Sequence, residues 1–295
     1  MASAVVTTDA TERRASTPRG RGSLLALPAL APVLTVLVLG LGSAVLQSVG
    51  LMPLAGQPAF TTSAYSALAS PAVADGMRIS LAIAAASTAI AVVLGLTAAL
   101  LVHRIAPRRG FLALLAAATV PVPHLVGAIA TGLLLSDSAL VSRLLGADPT
   151  TFPQLIAGPW WVGVVAEYAW KESAFVALVV LVSLSQRERE LSEAAAVLGA
   201  SAWERFRRVT LPLASPALVV SATLSAAYVV GSYEVSWLLG RSYPEPLPVL
   251  AYRLFTDVDL DTRPEAMAVA VLTVGVAGAI ALVGTVMLRR TAAAR

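Results

Sequence analysis

Glu167, Lys171 and Glu172 stand in the middle of one long apolar stretch, and Glu234 stands near the end of another. A charge near the centre of a bilayer is costly to insert, so groups of this kind need a partner, water or a ligand. Glu167 and Lys171 are four residues apart, hence one helical turn from each other on the same side, and this spacing predicts an ion pair. Glu172 falls about 100° further round the helix from Lys171 and is expected to look into a passage for solute. Lys171 is the only lysine of the chain. In the later stretch Ser221, Ser225, Tyr228, Ser232 and Ser236 share a helical face. Such a face either bonds helices to one another or lines a polar passage. Glu167, Lys171, Glu172, Tyr228, Ser232 and Glu234 are therefore the candidate translocation path.

Other chemistries lack their residues. There is no cysteine, which removes disulfides, thiolate metal sites and cysteine nucleophiles together. The two histidines, His103 and His124, have no second histidine at ligand spacing, and neither His-Glu-x-x-His nor Gly-x-Ser-x-Gly occurs. A P-loop needs a lysine after glycine to reach the phosphates, but the sole lysine follows Trp170. No catalytic residue, metal or cofactor is expected, and any ATP that drives the protein must be bound by another chain.

The elements that must hold these groups follow from composition. Of 295 residues, 57% are hydrophobic and 13% charged, with a mean hydropathy of +0.79. A soluble core of this length cannot hide so much apolar surface, whereas helices of about 20 apolar residues in lipid can. Six spans are expected, at about Leu24–Leu46, Met77–Val102, Phe111–Leu135, Pro159–Leu184, Ala214–Leu239 and Ala266–Leu288. Fifteen of the twenty arginines fall before the first span, between the second and third, between the fourth and fifth, and after the sixth. Arg78, Arg143, Arg241, Arg253 and Arg263 fall on the alternate side. By the excess of basic residues on the cytoplasmic side, both termini are cytoplasmic, and the pI near 9.8 signals topology rather than nucleic-acid binding. In the second span Ser80, Ala84, Ser87, Ala91, Gly95 and Ala98 form a small-residue stripe, which predicts a close packing seam.

The connection between the fourth and fifth spans is patterned. Helix formers run from Arg187 to Leu198, Gly199 breaks the run, and a second amphipathic stretch with Trp203, Phe206 and Val209 leads to Pro212. Two short helices joined at a glycine make a protruding knuckle suited to docking a soluble partner, with Pro212 ending the second.

At this knuckle the chain resembles the type I permease subunits of ABC importers. Their hallmark is Glu-Ala-Ala, three residues, Gly, nine residues and Ile-x-Leu-Pro. Glu193-Ala194-Ala195, Gly199 and Val209-Thr210-Leu211-Pro212 stand at those spacings, with Val in place of Ile. The resemblance implies an all-α polytopic membrane protein with about six transmembrane helices in the type I ABC importer (MetI-like) fold, in the cytoplasmic inner membrane of a prokaryote. It implies that Glu193, Ala194, Ala195, Gly199, Leu211 and Pro212 couple the chain to an ABC ATPase subunit. A second permease subunit, identical or homologous, and an extracytoplasmic solute-binding protein complete the implied assembly in the bilayer, and no nucleic acid is involved.

On this reading residues 1–22 are a flexible cytoplasmic tail, 23–76 the first transmembrane helix and an external loop, and 77–290 the permease core, with coupling helices at 187–212. The segments Trp170–Phe175, Gly231–Val235 and Leu247–Leu250 resemble the polyamine, iron and thiamine permease branch, which suggests a polyamine-like solute. Many relatives there carry proline where this chain has Ala174. An ion-coupled secondary transporter is the alternative, since intramembrane carboxylates are its usual signature.

Overall fold

The computed structural model describes residues 19–54, 56–104, 118–184 and 186–293, and every regular element among them is helical. The first 18 residues of the expected tail and residues 111–117 of the expected third span lie outside them. The chain divides into two compact units, Met1–Ser43 and Ala44–Arg295. Helix α1, Arg19–Ser48, begins inside the expected tail. From Pro28 to Gly40 every residue is exposed, Val33, Val36 and Leu39 by more than half. A helix that is apolar on all sides without protein cover suits lipid.

The second unit is built around α2, Pro71–Arg104, α3, His124–Leu135, and, after the short α4 at Leu140–Leu144, α5, Val162–Ser183. The knuckle helices α6, Gln186–Val197, and α7, Ala202–Arg205, lead into α8, Leu211–Gly231. The short α9, Glu234–Leu239, and α10, Leu247–Phe255, precede α11, Arg263–Ala293.

Five stretches among the described residues are long and apolar enough to cross a membrane: Pro28–Ser48, Pro71–His103, His124–Leu144, Ala202–Gly231 and Leu260–Thr291. Helix α5 has 22 residues, about 33 Å at the helical rise, and carries Glu167, Lys171 and Glu172 in its middle. It can carry them because protein covers the side on which they lie: Glu167, Lys171 and Glu172 are buried, while Val162, Trp170 and Val182 are exposed. Val164, Tyr168, Val176 and Val180 are completely buried, among 11 buried residues of the helix's 22. The cover comes first from α2. Ser80, Ala84, Ser87, Ala91 and Gly95 of the small-residue stripe are all buried. A Cβ added at Gly95 would stand 2.7 Å from both the Ser173 carbonyl oxygen and Val176 Cβ, so the two backbones approach as closely as only glycine permits. Helix α8 closes the other flank, and α11 packs on α8.

Two expected spans differ from the structure. The third is not one helix across its described part: Thr119–Pro123 forms a turn, and α3 starts only at His124. Pro121 and Pro123 lack backbone donors and turn the residues before them away from helix. The fifth expected span, Ala214–Leu239, breaks at Ser232, which is extended at φ −83° and ψ 133°, and resumes as α9. It also starts earlier. Pro212 does not end the second knuckle helix, because α7 runs through a π-helical stretch, Phe206–Thr210, into α8. There Leu211 N–H reaches back to the Phe206 carbonyl, and a widened turn of this kind accommodates a proline that has no donor of its own.

Candidate functional site

The proline-rich break puts His124 at the first turn of α3, facing the charged middle of α5 and the serine face of α8. His124 Nδ1 lies 3.2 Å from Glu167 Oε1, and Nε2 lies 3.7 Å from Glu172 Oε1. Its ring centroid stands 4.8 Å from that of Tyr228 and 5.9 Å from that of Tyr168. Gly127, one turn further along α3, leaves room for the carboxylate: a Cβ there would sit 2.6 Å from Glu167 Oε1. Ser225 Oγ donates to Glu172 Oε2, tying α8 to α5.

The ion pair predicted between Glu167 and Lys171 is not formed. Lys171 Nζ donates instead to the carbonyl oxygens of Thr119, at 2.7 Å, and of Val122, the turn that interrupts the third span. A broken helix leaves carbonyls without their usual donors, and an ammonium with three N–H groups satisfies several at once. Glu167, left to His124, has a fully buried side chain. The imidazole and the Lys171 ammonium thus stand around the two glutamates, with Nδ1 in hydrogen-bond reach of Glu167 and Nε2 further from Glu172. In a medium of low dielectric, carboxylates gathered like this need such groups around them.

The other path candidates are placed differently from one another. Tyr228 is 40% exposed beside His124, whereas Ser232 is 6% exposed at the break after α8. Glu234 opens α9, half-buried, and forms no ion pair among the described residues. Of the serine face, Ser225 bonds between helices, while Ser221 turns back to its own helix at the Ala217 carbonyl. His124, which holds the site together, carried no sequence signal, because its partners come from a helix 43 residues further on.

The knuckle takes its shape from Gly199. The Ala200 and Gly199 N–H groups donate to the Ala195 and Ala196 carbonyls, and Gly199 has φ +86°. This is a Schellman end, in which the left-handed residue is almost always glycine. Ser201 and Glu204 then form a capping box that starts α7. The tip presents Val197 and Leu198, each 88% exposed, and Trp203, 66% exposed. Glu193 and Ala194 are exposed, Ala195 and Leu211 half-buried, and Pro212 exposed.

Residues 91–292 match the family described as binding-protein-dependent transport system inner membrane component. The chain belongs to this family. It is 28% identical over 162 residues to the trehalose/maltose transport system permease protein MalF of Thermococcus litoralis, covering 54% of this chain and 55% of that one. It is 33% identical over 150 residues to the trehalose transport system permease protein SugA of Mycobacterium tuberculosis, covering 49% and 47%. A probable molybdenum ABC transporter permease of Haloferax volcanii is 34% identical over 148 residues, covering 49% and 53%. The chain thus spans about half the length of the curated relatives it matches. Among solved structures, a bacterial ABC transporter involved in alginate import superposes with a TM-score of 0.71 at 19% identity, over 92% of this chain and 96% of that one. The MetNI methionine ABC transporter superposes with a TM-score of 0.55 at 19% identity, over 74% and 95%. The fold is that of an ABC importer permease, in which α2, α5, α8 and α11 form a helical inner-membrane core.

Proposed function

We propose that this chain is a permease subunit of an ATP-driven importer, that a separate ATPase docks on the knuckle at Gly199, and that solute passes beside the His124 and Tyr228 edge of the charged site. The observation that carries the reading is the knuckle itself. It is a glycine-ended helix pair with an exposed apolar tip, and it bears the hallmark residues Glu193, Ala194, Ala195, Gly199, Leu211 and Pro212. The sequence has no P-loop, so hydrolysis falls to the partner ATPase. A second permease subunit encloses the pathway, and an external solute-binding protein delivers the solute, a role the words binding-protein-dependent in the family description support. The skewed arginines put both termini and the knuckle on the cytoplasmic side. The family match gives the ion-gradient alternative no support.

The solute is read as a saccharide rather than a polyamine. Of the path's carboxylates Glu167 is taken by His124 and Glu172 by Ser225, with His124 Nε2 at 3.7 Å, which leaves a polycation Glu234. An oxyanion needs a free cation, and Lys171 is held by backbone carbonyls. The Tyr228 ring beside His124 is 40% exposed, and the Trp170 indole of α5 is 43% exposed. Aromatic faces of this kind stack on sugar rings, and two of the relatives named above are trehalose permeases. The test is the reconstituted complex with its ATPase and binding protein, assayed for ATP hydrolysis with trehalose, maltose, spermidine, sulfate and molybdate. Stimulation by a disaccharide that falls several-fold in Tyr228→Ala supports the reading. Stimulation by spermidine alone, or uptake driven by an ion gradient without ATP, overturns it.

A further inference from the structure

The ends of α2, α6 and the π-helical stretch meet at three buried side chains that the solute site does not use. His103 Nε2 lies 2.9 Å from Glu188 Oε2, and Thr210 Oγ1 donates to Glu188 Oε1 at 2.5 Å. His103 is 7% exposed, Glu188 5% and Thr210 7%. Arg189 Nη2 adds a hydrogen bond to the His103 carbonyl at 3.3 Å. With Glu188 ionised, both neighbours donate to it. The imidazole then donates from Nε2, and the buried Nδ1 has no hydrogen-bond partner among the described residues. Polar groups buried this deeply are costly unless paired, so the three hold one another in place.

Around them the contact between α2 and the knuckle is open. A cavity of about 390 Å³ separates Leu100 of α2 from Ser192, Glu193, Arg205 and Phe206. Among the described residues α2 meets α6 through the bonds of His103 and Arg189, whereas its apolar residues Ala99 and Leu100 cluster with Leu184, Ala214, Ala217 and Leu218, before and after the knuckle. A displacement of α6 could therefore be taken up by the cavity unless the bonds carry it across.

We propose that His103, Glu188 and Thr210 form the joint that passes movement of the docking knuckle to α2, with His103 as its positioning residue. The proposal rests on reading α6 and α7 as the ATPase-docking element. From the joint the path is continuous, because α2 runs against α5 at Gly95, and α5 carries Glu167, Lys171 and Glu172. The bond at His103 is charge-assisted and directional, so it can pull as well as push, which an apolar contact cannot do.

The chain has no cysteine, so spin labels can be placed at Leu101→Cys on α2 and Glu190→Cys on α6, both exposed, in the full complex with its ATPase. The distance between them is read without nucleotide and with vanadate-trapped Mg·ATP. With the joint intact the two distributions coincide. In His103→Ala the ATP-bound distribution shifts and broadens while the ATPase co-purifies in unchanged amount, and His103→Gln, which still offers an N–H to Glu188, restores the wild-type pattern. Thr210→Val, nearly isosteric, gives the same ATP-dependent shift in a smaller measure and serves where His103→Ala is poorly produced. An ATP-independent distance in both His103→Ala and Thr210→Val overturns the proposal, as does loss of the ATPase from the His103→Ala complex. If docking lies elsewhere, Gly199→Val keeps its ATPase, a result that does not involve His103 and that removes the joint along with the reading beneath it.

Discussion

Lys171 Nζ lies 2.7 Å from the carbonyl oxygen of Thr119, so the one lysine of this chain serves the backbone of a broken helix and not the carboxylate one turn away. Two structural features that look separate in sequence are one device. The prolines break the third span, and the lysine makes the break tolerable inside the protein.

Lys171→Met removes the ammonium from the carbonyls of Thr119 and Val122, at about 1.5–3 kcal/mol for each lost bond from a charged donor. The level of membrane-extracted protein should fall sharply. Adding Glu167→Gln should not restore it, because Glu167 is held by His124. Recovery in the double variant, read by fluorescence-detected gel filtration, would show that the pair with Glu167 matters after all.

Gly95→Ala should destabilise the α2–α5 seam by about 1–3 kcal/mol, since the new methyl meets backbone and a β-branched side chain at 2.7 Å. Gly278→Ala on α11 meets nothing within 4 Å and should be neutral or mildly stabilising. Thermal unfolding of the detergent-solubilised variants compares the two directly.

Gly199→Val must hold a β-branched residue at φ +86°, which costs about 1–3 kcal/mol and turns the knuckle. Gly199→Asn, which tolerates this region, should be milder. The order glycine, asparagine, valine should appear in the amount of ATPase that co-purifies, with insertion of the chain unchanged.

Cysteines introduced at Ser201 and Asp148 test the orientation. An impermeant thiol reagent added to intact cells should label the second and spare the first. The reverse pattern would invert the topology drawn from the arginines.

Length and apolarity marked out the long apolar helices but not the breaks at Thr119–Pro123 and Ser232, and the Gly199 turn was legible because it is local, whereas the helix end expected at Pro212 is not there. The charged site was not legible in this way. Glu167 and Lys171 at a spacing of four read as a pair only while α5 is considered alone. In the folded chain each meets something from elsewhere: His124 for the first, the Thr119–Pro123 turn for the second. Helical spacing ranks partners within an element and is silent about those across it. The consecutive X-Pro pairs Val120-Pro121 and Val122-Pro123 were the available signal for the break, masked by an apolar run that satisfied the length of a span.

The burial of the charged middle of α5 bears on how the protein is made. A segment with two acids and a lysine at its centre is a poor stop for the insertion machinery while it is the newest helix in the channel, for its neutralising contacts are incomplete. The Thr119 turn and His124 have already been synthesised by then, but Ser225 has not. Helix α5 is therefore expected to stay at the protein-conducting channel until α8 emerges and to enter lipid in its company. A nascent chain arrested before residue 211 should leave α5 extractable by carbonate, and one arrested after α8 should not. The order of synthesis is thus part of the solution to carrying charge across the membrane.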